Sequence, residues 1–147
     1  MVKPKTYPLF YGGRRMHWAK GAVANGFVFM AGTEGIDPET LKPVEGIEAQ
    51  TRLALEKVKA RLEEMGSSLH HIVKITYYIA GDFPEGIVAS EKYQKMAKIR
   101  DEFFRENGLD PADIPSDLIG VTALGRKGME IEIAVIATLN EPEETKK

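Results

Sequence analysis

Cysteine is absent from the 147 residues, and with it go disulfides, thiolate nucleophiles, cysteine-ligated zinc and iron-sulfur clusters. No segment approaches the roughly 18 continuous apolar residues that a membrane-spanning helix needs. The stretch Met1 to Gly13, broken by Pro4 and Pro8, holds neither the apolar run nor the small-residue cleavage site of a secretory leader. The expectation is a cytoplasmic protein with no membrane partner. An excess of one charge sign is missing too: 20 Lys and Arg against 22 Asp and Glu leave a formal charge of −2. That balance provides no broad electrostatic footprint for a phosphate backbone and argues against nucleic acid as a partner. Also missing are internal repeats, low-complexity blocks, a phosphate loop, a Gly-x-Ser-x-Gly elbow and a His-Glu-x-x-His zinc helix.

What is present is an ordinary globular composition, 43% hydrophobic and 29% charged, at a length that suits one domain over residues 1–147. The core is expected over about residues 18–139, with the charged stretch Glu141 to Lys147 as a solvated tail. Asn25-Gly26 between the apolar runs Gly21 to Ala24 and Phe27 to Met30 predicts a β-hairpin, because both central residues of a type I′ turn need positive φ. From Glu45 to Met65 the residues Ile47, Ala54, Val58, Leu62 and Met65 recur at helical spacing, and Gly66 supplies a stop. Ile72 to Ala80 is rich in β-branched and aromatic residues and reads as a strand. A second helix is expected from near Ser90 to Glu106, stopped by Asn107-Gly108. Leu118 to Leu124 reads as a strand, and Met129 to Leu139 alternates as a half-buried one, with Ile131, Ile133, Val135 and Ala137 on one face.

This order predicts an α+β layer with both helices on one sheet face. The other face, carrying Ala134 and Ile136, is too apolar for full exposure, so a homo-oligomer is expected to cover it. His17 and Trp18, in the segment Gly12 to Trp18 read as a loop, offer an imidazole beside an aromatic wall; Trp18 as a packing plug with His17 solvated is the competing reading. Glu130 and Glu132 lie about 7 Å apart by strand rise, and one of them alone is a candidate general acid or base. His70-His71 carry no metal role, since adjacent side chains diverge and no third ligand accompanies them.

The ordered string Ala22 to Gly32, Ile36-Asp-Pro-Glu-Thr40, Ile47-Glu-Ala-Gln-Thr51, Met65-Gly-Ser-Ser-Leu69, Ile72-Val-Lys-Ile-Thr76 and Glu130-Ile-Glu132 resembles the RidA (YjgF, or L-PSP) family, from about Trp18 to Leu139. The resemblance implies a chorismate-mutase-like mixed sheet of about six strands with two helices on one face. It further implies a homotrimer with ligand clefts between subunits, a small-molecule substrate, and no cofactor or metal. Typical members hydrolyse reactive enamine or imine acids to keto acids and ammonia, and some relatives are described as ribonucleases or translation inhibitors. By position, the family's cleft tyrosine falls on Trp18, with His17 beside it, its cleft glycine on Gly32, and its late-strand glutamate on Glu130 as the catalytic residue. The family's carboxylate-binding arginine is replaced by Ser116 or Asp117 in Ile114-Pro-Ser-Asp-Leu118, and Arg14, Arg15 and Arg126 are the candidates to supply that charge from elsewhere. A C=N hydrolase with atypical substrate preference is therefore the leading expectation, and a non-catalytic small-molecule-binding trimer is its alternative.

Overall fold

Two pairs of left-handed residues shape the first third of the chain. Gly12 (φ 57°) and Gly13 (φ 74°) join strand β1 (Lys5–Tyr11) to β2 (Arg14–Ala24). Asn25 (φ 49°) and Gly26 (φ 80°) join β2 to β3 (Phe27–Glu34), as the Asn-Gly signal requires. The chain then forms helix α1 (Ile47–Glu64), strand β4 (Ile72–Ala80), helix α2 (Glu91–Glu106) and strands β5 (Ser116–Val121) and β6 (Ile131–Thr138). This computed structural model describes residues 3–140, so the charged tail lies outside the described residues. Among the described residues no helix is long and apolar enough to cross a membrane.

The six strands make one mixed sheet in the order β1-β2-β3-β6-β4-β5. Only β4 and β5 run parallel, and α2 supplies the crossover that a parallel pair demands. β6, last in the chain, is inserted between β3 and β4 and pairs antiparallel with both. Its Ile131, Ile133, Val135 and Ala137 are buried against Ala54, Leu55, Val58 and Leu62 of α1 and Met96, Phe103 and Phe104 of α2. The helix ends follow local chemistry: Ser90 Oγ accepts from Tyr93 N at 3.1 Å at the start of α2, and Gly66 (φ 84°) turns the chain out of α1. His71 shares a 2.8 Å hydrogen bond with Ser68 Oγ in the short turn Leu69–His71.

Three expectations are corrected. The ordered core starts at β1, not at Trp18, with Leu9 and Tyr11 buried; β1 is an edge strand, where Pro8 sits at a register shift and its missing N–H costs little. His17 and Trp18 consequently lie on a strand rather than a loop. The fifth strand begins at Ser116, ahead of the expected Leu118, because its ladder with β4 opens at Ile75↔Ser116.

Replacing the fully buried Ile133 by Ala is expected to cost about 2–5 kcal/mol in urea denaturation, whereas Val88→Ala, at a side chain 59% exposed, is expected to stay within about 0.5 kcal/mol.

Candidate functional site

β3 advances three residues from Met30 to Thr33 while β6 advances two, from Val135 to Ile133. The extra residue makes a bulge at Ala31-Gly32, beyond which Glu34 stands directly opposite Glu132. A Cβ built on Gly32 would fall inside the Glu132 carboxyl group, so only glycine lets that carboxylate lie against the β3 backbone.

Directly opposed residues of an antiparallel pair share a face, with Cβ atoms about 4.5–5.5 Å apart. Glu34 and Glu132 are such a pair, and burial first, then the Glu34 charge, holds the Glu132 carboxyl above the ordinary carboxylate range. Behind them Arg61 of α1 is buried: its Nη1 donates to Thr33 Oγ1 at 3.0 Å and its Nη2 to Tyr11 Oη at 3.1 Å. The Tyr11 hydroxyl in turn lies 3.5 Å from Glu34 Oε2. Burial and Glu34 raise the Tyr11 phenol above its usual value. Lys57 donates to the carbonyl oxygens of Glu34, at 3.1 Å, and Ile36; burial, with the Arg61 charge second, pushes its ammonium down to about 8.

Sequence reasoning placed the acid at Glu130, and the structure puts Glu132 at Gly32 instead. Glu130 precedes β6; its N–H donates to Gln50 Oε1 at 2.8 Å and its carboxylate pairs with Lys92 at 3.2 Å. It lines a separate cleft with Gly46, Glu48 and Glu91 beside the starts of α1 and α2. Strand periodicity alone does not tell which of two residues two apart meets Gly32; the bulge brings Glu132 there. Glu34, Tyr11, Arg61 and Lys57 were missed, although Glu34 lies two residues from the candidate Gly32.

The parallel ladder also separates the two candidates for the arginine position. Ser116 pairs with the buried Ile75 and shares the helix-covered face, whereas Asp117 pairs with Thr76 on the open face. There Asp117 is one row along from Tyr78 and Glu132, and Lys74 binds it at 2.6 Å. Phe29, Lys74, Thr76, Tyr78, Ala134 and Ile136 line a 230 Å³ depression on this face, and Phe29 remains 48% exposed. Trp18 and His17 lie on β2 beyond its Gly21–Ala24 ladder with β3, and no residue pair of that ladder joins them to Gly32. Arg14 and Arg15 pair with β1, and Arg126 reaches only the Leu41 carbonyl at 3.5 Å. Among the described residues no three His, Cys, Asp or Glu side chains are grouped to hold a metal ion.

The Lys57 environment has a pH signature. Its folded value of about 8 lies below the ordinary 10.5, so above pH 8 the unfolded chain binds more protons and stability rises with pH. Tyr11, raised above 10.0 in the fold, reverses the trend once the unfolded phenol ionises. The urea midpoint is therefore expected to climb between pH 8 and 10, and Lys57→Met is expected to flatten that climb.

The sequence profile of the family described as endoribonuclease L-PSP matches residues 14–139. A RutC family protein of Aquifex aeolicus is 32% identical over 120 residues, covering 82% of this chain and 86% of that relative. Among solved structures, a member of the conserved Rid family from Yersinia pestis superposes with a TM-score of 0.71 at 27% identity, covering 91% of this chain and 94% of the other. RidA from an Antarctic Psychrobacter gives 0.69 at 25% identity over the same shares. The profile match runs through every element from β2 to β6, including both sides of the Gly32 to Glu132 approach, and the chain belongs to the RidA/YjgF/L-PSP family.

Proposed function

We propose that this protein hydrolyses reactive enamines, imines or related C=N small molecules, as a cytoplasmic homotrimer whose neighbouring copies cover the open sheet faces and complete the cleft. The observation that carries the reading is the half-buried Glu132 carboxyl held against Gly32, with its proton retained above the ordinary carboxylate range. A retained proton is what a general acid needs. Protonated Glu132 gives its proton to the imine nitrogen. The carboxylate then takes a proton from an attacking water as oxygen bonds to carbon, and returns it to the amine of the resulting carbinolamine. The C–N bond breaks as the hydroxyl proton returns to the Glu132 carboxylate, so that imine plus water yields a carbonyl compound plus ammonia and the acid is restored. The Gly32 backbone and the Tyr78 side chain, opposite Glu132 in the β4–β6 ladder, are placed to orient the substrate.

The open face supports an atypical substrate. Its acid at Asp117 is already matched by Lys74, and Glu34 adds a second carboxylate beside Glu132, so a substrate carboxylate meets repulsion rather than a fork of donors. Neutral or cationic C=N compounds fit better. The same Lys74–Asp117 pair favours the second reading, a trimer that binds a small molecule without turnover. A ribonuclease role draws on the family description alone, and the net charge of −2 opposes it.

The test is ammonia release from freshly generated 2-aminoacrylate and from a panel of neutral imines. Wild type is expected to prefer the neutral compounds, and Glu132→Gln to lose about a hundredfold or more in rate, with Glu130→Gln close to wild type. An unaffected Glu132→Gln removes that residue from the chemistry, and ligand-dependent thermal stabilisation without turnover selects the binding reading. The rate is expected to fall as pH rises through the elevated Glu132 value, and Glu34→Gln to move that limb to lower pH, because it removes a charge that raises it. Sedimentation equilibrium is expected to return three times the 16.3 kDa chain mass; a monomer would contradict the cleft assignment.

A further inference from the structure

On the side of the sheet away from Glu132, the C-terminal half of α2, the turn Pro111–Asp113 and the start of β5 enclose a cavity of about 280 Å³. Ile75 and Tyr77 of β4 and Ser116 of β5 form its sheet wall. These residues alternate with Thr76, Tyr78 and Asp117, which face the opposite way. The thickness of the sheet therefore separates this cavity from the site described above, and residues 3–140 of one copy build it alone.

Its polar groups are only partly paired. The Tyr77 side chain is 2% exposed and lines the cavity, yet its hydroxyl makes no hydrogen bond among the described residues. Burial drives the phenol far above its usual range, so it stays an O–H donor at any physiological pH. Among the described residues no fully buried side-chain polar atom lacks a partner, so this hydroxyl opens onto the cavity, where a ligand can reach it. Ser116, exposed at the mouth of the same wall, adds a second hydroxyl. Arg100 is held with its guanidinium carbon 5.9 Å from the ring centres of both Tyr77 and Tyr93. Asp101 accepts from its Nε at 2.9 Å, and most of its five N–H donors remain unspent.

Each of the two carboxylates in the wall has one oxygen engaged. Asp101 is taken by Arg100, and Asp110 Oδ1 accepts from Ala112 N at 2.9 Å. Arg105 adds a second cation at the exposed rim. The two carboxylates and two guanidiniums of the lining balance in charge, so selection falls to the free donors, and beneath them Ile75, Phe104 and Ile114 offer an apolar floor. Its volume falls just under the roughly 300–1,000 Å³ of drug-sized sites, which leaves room for one ring or one branched chain.

We propose that this cavity is a second ligand site, which takes a small carboxylate with a compact apolar body. The carboxylate accepts from Arg100, Tyr77 and Ser116, and the apolar body lies on Phe104 and Ile114. The planar guanidinium, pre-oriented by two tyrosine rings, suits a carboxylate better than a point anion.

The experiment titrates the full chain with benzoate, and with benzamide as its uncharged counterpart, by calorimetry and by backbone amide shifts in NMR. Benzoate is expected to bind at least about tenfold more tightly than benzamide, as loss of a charge-assisted pair implies. Shifts are expected around Tyr77, Arg100 and Ser116 and to be absent at Gly32 and Glu132. Tyr77→Phe, which removes only the unpartnered hydroxyl and keeps the ring, is expected to fold normally and weaken benzoate about fivefold or more. Arg100→Gln is expected to erase the preference over benzamide, and Glu132→Gln to leave binding unchanged. No binding by about 10 mM, shifts confined to the open face, or an affinity indifferent to Tyr77→Phe each overturns the proposal.

Discussion

Everything in this molecule hangs on β6, the last strand made and the one set at the middle of the sheet. Because side chains along a strand alternate with a period of two, its Ile131, Ile133, Val135 and Ala137 must enter one layer and its Glu132, Ala134 and Ile136 the other. The first set meets α1 and α2 and forms the core. The second set has no cover among the described residues, and there the carboxylate and the apolar surface coexist. Stability and site are thus written on opposite faces of one strand, and a shift of one residue in its register would bury Glu132 among leucines and expose the core.

The bulge in β3 reconciles that strand with its neighbour. A regular ladder would place a side chain where the Glu132 carboxyl lies; one extra residue and a glycine clear the space and bring Glu34 opposite. Two carboxylates side by side would repel if both were ionised and unsupported. The arrangement is sustained by desolvation, which favours the protonated acid on Glu132, and by the Arg61–Tyr11 chain ending at Glu34. Lys57, held on main-chain carbonyls, ties the same segment to α1. A helix residue thereby fixes the geometry of a carboxylate pair on the far side of the sheet.

The two faces also differ in how they handle unspent hydrogen-bonding capacity. On the open face the cation at Lys74 and the anion at Asp117 satisfy each other, which lowers the demand for a charged ligand there. On the helix side Asp101 and Asp110 each have one oxygen engaged, and part of the Arg100 fork stays open to the cavity. The consecutive residues Ser116 and Asp117 stand at this division, each committed to a different face by the parallel ladder with β4.

Much of the fold was legible in the residues alone. The Asn25-Gly26 turn, both helices, the strand Ile72–Ala80 and the alternation of β6 are local signals, carried by φ preference, helical spacing and period-two patterning, and these survive folding unchanged. The family string was equally local. The edge strand β1 was hidden because Pro8 and a shifted register break its alternation. The acid at Gly32 was hidden because Glu130 and Glu132 have the same chemistry and the same parity; the choice between them lies in how β3 and β6 meet, about a hundred residues apart in the chain. Local conformation was determined by the sequence by itself, since it depends on neighbours within a few bonds. Which carboxylates become partners, and which face each residue of Ser116-Asp117 serves, only the tertiary structure decided, because register between distant strands is set by the packing of the whole core.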